Sequence, residues 1–406
     1  MNKLRLGILR EEKSPPDKRV PFTPLQCSEL LKEYSELEIF IQPSAIRCYE
    51  EHEYRSFGLT LQENLTNCDV LMGVKEIPVE KLLPGKTYII FSHIIKKQLH
   101  NQKLMKAFVD KKITLVDYET LTDPNHNRVI GFGRYAGIVG AYNGLLGYGK
   151  KYDLFHLKPA HKCRDKAEVQ EELKRVKLPN IKILMTGGGR VANGIIETIS
   201  ALKIRKVTPY EFLTCSYREP VYCQLHSKDY HEAIDHSSWN MKEFYTHPEK
   251  YKSTFLPFTK ATDLLITGHF WAPGSPKLFS KEDMRSPDFK ISVIADISCD
   301  IDGSVPSTLR ACTIEEPFYG YNPITESIDV AFSKHTITVM AVDNLPCELP
   351  RDASEDFGKE LMERVIPSLL GIDKEKIIER STIVKNGKLT PPFEYLKDYA
   401  EKSYKS

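Results

Sequence analysis

The run IKILMT, residues 181–186, passes without a break into GGGRVANGIIETISAL, and no other feature of the chain constrains its fold as tightly. A short apolar run between turn residues, Pro179-Asn180 before it and glycines after it, reads as a buried strand, and the segment after the glycines has helical spacing. Strand, glycine turn and helix in that order open a parallel α/β unit, because parallel strands need a crossover to connect them. Gly187 and Gly189 permit a tight turn and let backbone N–H groups approach a pyrophosphate, whose charge the helix N-terminus favours. Gly194, inside the helix, is expected to let helix and strand pack closely. The spacing inserts additional residues before the last glycine of G-x-G-x-x-G, so the motif alone equals an ordinary turn; its strand-glycine-helix context points to a dinucleotide. Arg190 and Val191, which open the helix, are counted with this site. Arg190 is a candidate for an adenosine phosphate. Glu211, near the expected carboxyl end of a second strand in KVTPYEF, holds a ribose hydroxyl or is a plain surface carboxylate. NAD and NADP both stay open. Asp296 ends the apolar strand of VIADIS and either faces a ligand cleft or caps the following turn.

Before this unit, the chain alternates short apolar runs with helical segments: LRLGILR, TPLQCSELLKEY, LEIFIQPS, DVLMGVKE, KTYIIFSH, NQKLMKAFVDKK and ITLVDYE. That rhythm predicts a first α/β lobe with a largely parallel sheet. Such sheets bind ligands beyond the carboxyl ends of their strands, where Arg10, Lys75 with Glu76, His93 and Glu119 fall. Arg19, Lys96 and Arg128 join them. Several cations suit a substrate with several carboxylates, through charge-assisted hydrogen bonds. Lys75 among cations should have its pKa lowered, with Glu76 and Glu119 partly restoring it, which keeps a lysine within reach of proton transfer near neutral pH. Any one of these groups alone is a solvated charge at a strand end; their joint placement argues for a site. The segment GFGRYAGIVGAYNGLLGYGKK predicts a buried helix of about five turns joining two lobes, and residues 210–260 read as an irregular insertion with short helices.

The formal charge of +2 comes from 57 basic and 55 acidic residues without a long basic block, which argues against nucleic acid and membrane surfaces as partners. Nine cysteines lie far apart with no C-x-x-C pair, as expected of free thiols in a reducing cytosol. The N-terminus lacks the apolar segment of a signal peptide and no run is long enough to span a bilayer, so a cytoplasmic protein is expected. His226, His231 and His236 are spaced by five, which does not align ligands on one helix face, and SCDIDG lacks the later glutamate of a calcium loop. No metal is expected.

The motifs KRVPFTP, IFIQPS, LMGVKEIPVEKLLPGKTYIIFSHIIKKQ, GFGRYAGIVGA, GGGRVANG, WAPGSPKLFS, ADISCDIDGS and VDNLPCELPRDASEDFG cover nearly the whole chain. With them the chain resembles the lysine-ketoglutarate reductase half of the bifunctional aminoadipic semialdehyde synthases and the stand-alone lysine-forming saccharopine dehydrogenases. Both lie within the alanine dehydrogenase and transhydrogenase-like superfamily. Alanine dehydrogenases share the two-lobe plan and the RV-x-x-TP element but not the VDNLP-x-x-LPRDASE block. The resemblance implies two Rossmann-like lobes with parallel sheets separated by a cleft that closes on substrate. Residues 1–135 plus 345–406 would form the substrate lobe, with the nucleotide lobe, 136–344, inserted in it. It implies formation or cleavage of saccharopine, from L-lysine and 2-oxoglutarate, with NAD(P). Lys75 and His93 match the family's acid/base pair; Glu76, Lys96, Glu119 and Arg128 match groups lining the substrate site; Arg19 matches its carboxylate-binding arginine. Thr267 stands where the synthases commonly have asparagine, and the second catalytic half is expected to be absent, leaving a single-function enzyme. Two rival readings remain: an amino-acid dehydrogenase of the alanine dehydrogenase type, which needs fewer carboxylate anchors, and a non-catalytic nucleotide-binding sensor.

Overall fold

A computed structural model describes residues 3–401. The described residues divide into two compact units, 3–132 with 350–401 and 133–349.

The first unit begins with β1 (Leu4–Ile8), α1 (Pro24–Glu33), β2 (Leu37–Ile41), α2 (Glu51–Ser56), β3 (Thr60–Leu61), β4 (Val70–Met72), β5 (Thr87–Ile90), α3 (Gln102–Asp110) and β6 (Thr114–Asp117). The start of α1 is written locally: Thr23 and Gln26 cap each other reciprocally, and Pro24 occupies the first turn, where its missing N–H costs nothing. Strands β3, β2, β1, β4, β5 and β6 are parallel neighbours, which places the carboxyl ends of β1, β4, β5 and β6 along one edge. Successive side chains of a strand point to opposite faces, and here both faces are buried. Met72, Ile89 and Val116 enter one apolar cluster, whereas Leu71, Ile90 and Leu115 enter the other. The segment from Pro350 completes this unit. Phe357 and Leu361 of helix Pro350–Arg364 join the first cluster, and the strand Thr382–Lys385 pairs antiparallel with β6.

In the second unit, α4 (Gly133–Tyr152) and α5 (Lys166–Leu173) precede β7 (Lys182–Thr186), α6 (Arg190–Ala201), β8 (Arg205–Lys206), α7 (Pro209–Thr214) and β9 (Val221–Leu225). The hairpin β10 (His231–Ala233) and β11 (Tyr251–Ser253) follows, then β12 (Leu264–Thr267), β13 (Val293–Asp296), β14 (Phe318–Asn322), β15 (Ser327–Asp329) and β16 (Ile337–Met340). The sheet runs β15-β14-β16-β13-β12-β7-β9-β8, parallel except at β14 and β15.

Three expectations change here. The long glycine-rich helix α4 lies wholly within the second unit rather than bridging two. The insertion at 210–260 contains the sheet strand β9 and a hairpin besides short helices. The run KVTPYEF is not a strand: β8 ends at Lys206, and Thr208 begins α7 through a capping box with Glu211. Thr-Pro-x-Glu supplies the N-cap, the first-turn proline and the reciprocal acceptor together, and this local preference outweighs the β-branched residues before it.

Candidate active site

At the edge formed by β1, β4, β5 and β6, buried carboxylates hold the loops in place. Glu11, just beyond β1, accepts from the backbone N–H of Val74 at 2.6 Å and of Lys75 at 2.8 Å, so it clamps the end of β4. Burial, reinforced by Asp17, pushes its carboxyl up to about 7. Asp17 takes Arg19 through three hydrogen bonds, from the backbone N at 3.0 Å, Nε at 3.0 Å and Nη2 at 2.6 Å. Burial raises the Asp17 pKa, but the charge and hydrogen bonds of Arg19 outweigh it and hold the carboxyl well below the usual range. The Arg19 guanidinium lies 4.1 Å from the Phe132 ring centroid, and the residue is 3% exposed.

Lys75 follows β4. Its ammonium makes no hydrogen bond or ion pair among the described residues. Burial first, then Arg19 and Lys13, lower its pKa, while Asp17 and Glu76 oppose them. Glu76 Oε1 lies 2.5 Å from His93 Nδ1, and Glu76 Oε2 lies 3.2 Å from Lys13 Nζ. Burial alone would raise the Glu76 carboxyl; the hydrogen bond and charge of His93, with Lys13, bring it down to about 2. His93 follows β5 in the left-handed region at φ 53° and stacks on Phe91 at a centroid separation of 6.2 Å. Such a backbone is uncommon outside glycine, and here it turns the imidazole towards Glu76.

Asp117, at the end of β6, ties two groups of residues together. Its Oδ2 accepts from Ser92 N–H at 2.9 Å and from the Ser92 hydroxyl, and its Oδ1 accepts from Glu119 N–H at 2.7 Å. Burial pushes this carboxyl up to about 6. Glu119 Oε1 meets Lys96 Nζ at 3.3 Å and Arg128 Nη2 at 3.4 Å, whereas its Oε2 is buried with no hydrogen-bond partner among the described residues. A buried acceptor of this kind is costly unless a donor reaches it.

In the second unit, the chain turns out of β7 at Gly187, φ 104°, where a side chain would meet the Gly268 carbonyl oxygen at 2.4 Å. Gly188 and Gly189 are exposed, and nothing lies within 4 Å of a Cβ placed on Gly189. An open glycine turn leading into the twelve-residue α6 fits a pyrophosphate. Arg190 and Val191 form the first turn of α6, both half-buried. Gly194 serves a different contact from the one expected. A Cβ there would fall 2.0 Å from Arg134 O and 2.8 Å from Ile138 N, so it brings α6 against α4 and not against a strand.

Two further candidates are engaged by neighbouring residues, Asp296 as in the turn-capping reading and Glu211 away from the expected strand end. Asp296 is fully buried and accepts from the hydroxyls of Thr267 at 2.6 Å, Thr308 at 2.6 Å and Ser298 at 2.8 Å, so it organises the turn after β13. Glu211 is occupied by Thr208 N–H at 2.9 Å and the Thr208 hydroxyl at 2.8 Å and stands at no strand end. Arg19, expected to take a substrate carboxylate, has its Nε and Nη2 turned on Asp17. Among the described residues no group of three or more His, Cys, Asp or Glu could hold a metal, and no helix is long and apolar enough to cross a membrane.

Residues 7–139 match the model of the alanine dehydrogenase/PNT N-terminal domain. The chain is 29% identical to mouse mitochondrial alpha-aminoadipic semialdehyde synthase, over 98% of the chain and 48% of the relative. It is 25% identical to the NAD(+), L-lysine-forming saccharopine dehydrogenase of Yarrowia lipolytica, over 89% of the chain and 90% of the relative. The chain spans about half the length of the synthases it matches. Among solved structures, an L-alanine dehydrogenase shares the fold at a TM-score of 0.62 and 17% identity, covering 98% of this chain and all of that one. The transhydrogenase of Sinorhizobium meliloti does so at 0.59 and 14%, covering 96% of this chain and all of that one.

Glu11, Lys13, Asp17, Ser92 and Asp117 escaped the sequence reading. Asp17 carried a signal, an acid two residues before Arg19 in a proline-flanked segment. Glu11 carried a weaker one as one of two acids past β1. Nothing in VDYE singles out Asp117 from Glu119, since only the alternation of strand faces decides which of them turns inwards.

Proposed function

We propose that this protein is a cytoplasmic oxidoreductase that forms or cleaves saccharopine, joining the ε-amine of L-lysine to 2-oxoglutarate with NAD(P). The observation that carries the reading is Lys75: a largely buried ammonium without an ion pair, next in sequence to a glutamate that holds His93 at 2.5 Å. Similarity along most of this chain to saccharopine dehydrogenases, and to about half the length of the synthases, supports the choice of substrates. Residues 1–135 plus 345–406 are assigned the substrate chemistry and 136–344 the dinucleotide.

A bound nicotinamide would supply or accept the hydride. Gly187, Gly189, Arg190 and Val191 would hold its pyrophosphate, with Gly194 setting the helix that presents them. Lys75, lowered in pKa, would give and take protons as the amine adds to the keto group and water leaves. His93, oriented by Glu76, would serve the secondary amine. Glu119, with one oxygen unpartnered and the other on Lys96 and Arg128, suits an ammonium donor beside carboxylate-binding cations. Arg19 would act through Lys75, depressing its pKa, rather than by direct contact.

The test mixes purified protein with L-lysine, 2-oxoglutarate and either reduced dinucleotide, follows dinucleotide oxidation by absorbance, and identifies the product by mass. Saccharopine is the expected product. Turnover with ammonia or another amine in place of lysine would move the protein to the alanine dehydrogenase type, and dinucleotide binding without any turnover would make it a sensor.

A further inference from the structure

The strand beside the glycine strand decides which dinucleotide a fold of this kind accepts, because the adenosine ribose lies over its carboxyl end: a carboxylate there holds the 2′-hydroxyl, and a cation accepts a 2′-phosphate. In this chain that strand is β9. It pairs with β7 from Lys182↔Val221 to Thr186↔Leu225, and Gln224 Nε2 donates to the Gly187 carbonyl at 3.0 Å. The chain leaves β9 through His226, whose Nδ1 would stand 2.7 Å from a Cβ on Gly188, so its ring borders the glycine turn itself.

The carboxylates nearby are already engaged. Asp229 Oδ2 accepts from His226 N–H at 2.7 Å, and Glu211 caps α7. The cations are not neutralised. Exposed Lys228 makes no hydrogen bond or ion pair among the described residues, and exposed Lys206 holds only the neutral Gln224 Oε1, at 2.8 Å. Two uncompensated ammonium groups and an imidazole thus surround the strand end, where a ribose-binding acid would otherwise stand.

We propose that the site selects the 2′-phosphorylated dinucleotide, NADPH over NADH, through Lys206, His226 and Lys228. This rests on the dinucleotide reading of the glycine turn and names its substrate form. A dianionic phosphate gains charge-assisted hydrogen bonds from these groups that a hydroxyl does not.

The test uses the full chain. NADPH and NADH are titrated separately by their fluorescence, and adenosine 2′,5′-bisphosphate is compared with AMP as a competitor. NADPH should bind at least about tenfold tighter than NADH, the bisphosphate should compete better than AMP, and the double variant Lys206→Glu with Lys228→Glu should reduce the NADPH-to-NADH preference by about tenfold or more. Lys228→Arg should keep it. Equal or tighter binding of NADH, or a preference unchanged in the double variant, overturns the proposal while leaving the dinucleotide site standing. Binding of neither dinucleotide overturns the dinucleotide reading and this proposal with it.

Discussion

Two cations and burial press on the Lys75 ammonium, and two carboxylates answer them. The balance leaves a lysine that releases its proton below its ordinary range, and its contributors are held in two pairings, Arg19 on Asp17 and Lys13 on Glu76, which also holds His93. Removing the ammonium should therefore remove the chemistry and little else. Lys75→Met is expected to lower turnover by about 100-fold or more, and His93→Gln by roughly 10- to 100-fold, with dinucleotide affinity within about twofold of the parent because the glycine turn belongs to another unit. Steady-state kinetics and a dinucleotide titration on the same preparations check this; equal losses of affinity and turnover would count against the roles assigned. Lys75, His93 and Glu119 were legible in the sequence because each closely follows an apolar run. Their partners were not, since Asp17 and Asp117 act through pairings that spacing alone does not announce.

At the scale of elements, the contact between α4 and α6 shows how a motif read for ligand binding also serves packing. Gly137 and Gly194 face each other's backbones: a Cβ on Gly137 would lie 2.0 Å from Val191 O, and one on Gly194 2.0 Å from Arg134 O. In an exposed helix, replacing glycine by alanine gains about 1 kcal/mol from propensity. Here backbone atoms would have to move, so the sign reverses. Gly194→Ala is expected to destabilise the protein by about 1–3 kcal/mol, read as a lower urea midpoint, and to weaken dinucleotide binding because the first turn of α6 shifts with it. A variant as stable as the parent would mean that the two helices can separate without cost. The same glycine-rich stretch looked from its sequence like a connector, because a run of small apolar residues announces burial but not the neighbour it is buried against.

For the whole molecule, stability should carry the imprint of the buried carboxyls. Glu11 has its folded pKa raised from 4.5 to about 7, so it binds its proton more tightly folded than unfolded. Its contribution is complete below pH 4.5 and is lost as pH rises through 7. Glu76, lowered from 4.5 to about 2, works the other way, contributing above pH 4.5 and losing that contribution as pH falls towards 2. Unfolding in urea at pH 5 and pH 8 should show the parent losing on the order of 2 kcal/mol more than Glu11→Gln over that interval; identical pH dependence in both would assign the slope to other groups. The sequence by itself determined the α/β class, the glycine turn after β7 and the set of ionisable strand ends, because periodicity, turn chemistry and strand termination are properties of neighbouring residues. Tertiary structure alone decided that β9 and not KVTPYEF lies beside β7, that Gly194 meets a helix, that Asp296 is closed in by hydroxyls and that Arg19 faces Asp17. Those outcomes depend on which distant segments share a sheet or a buried space, and spacing along one chain carries no record of that.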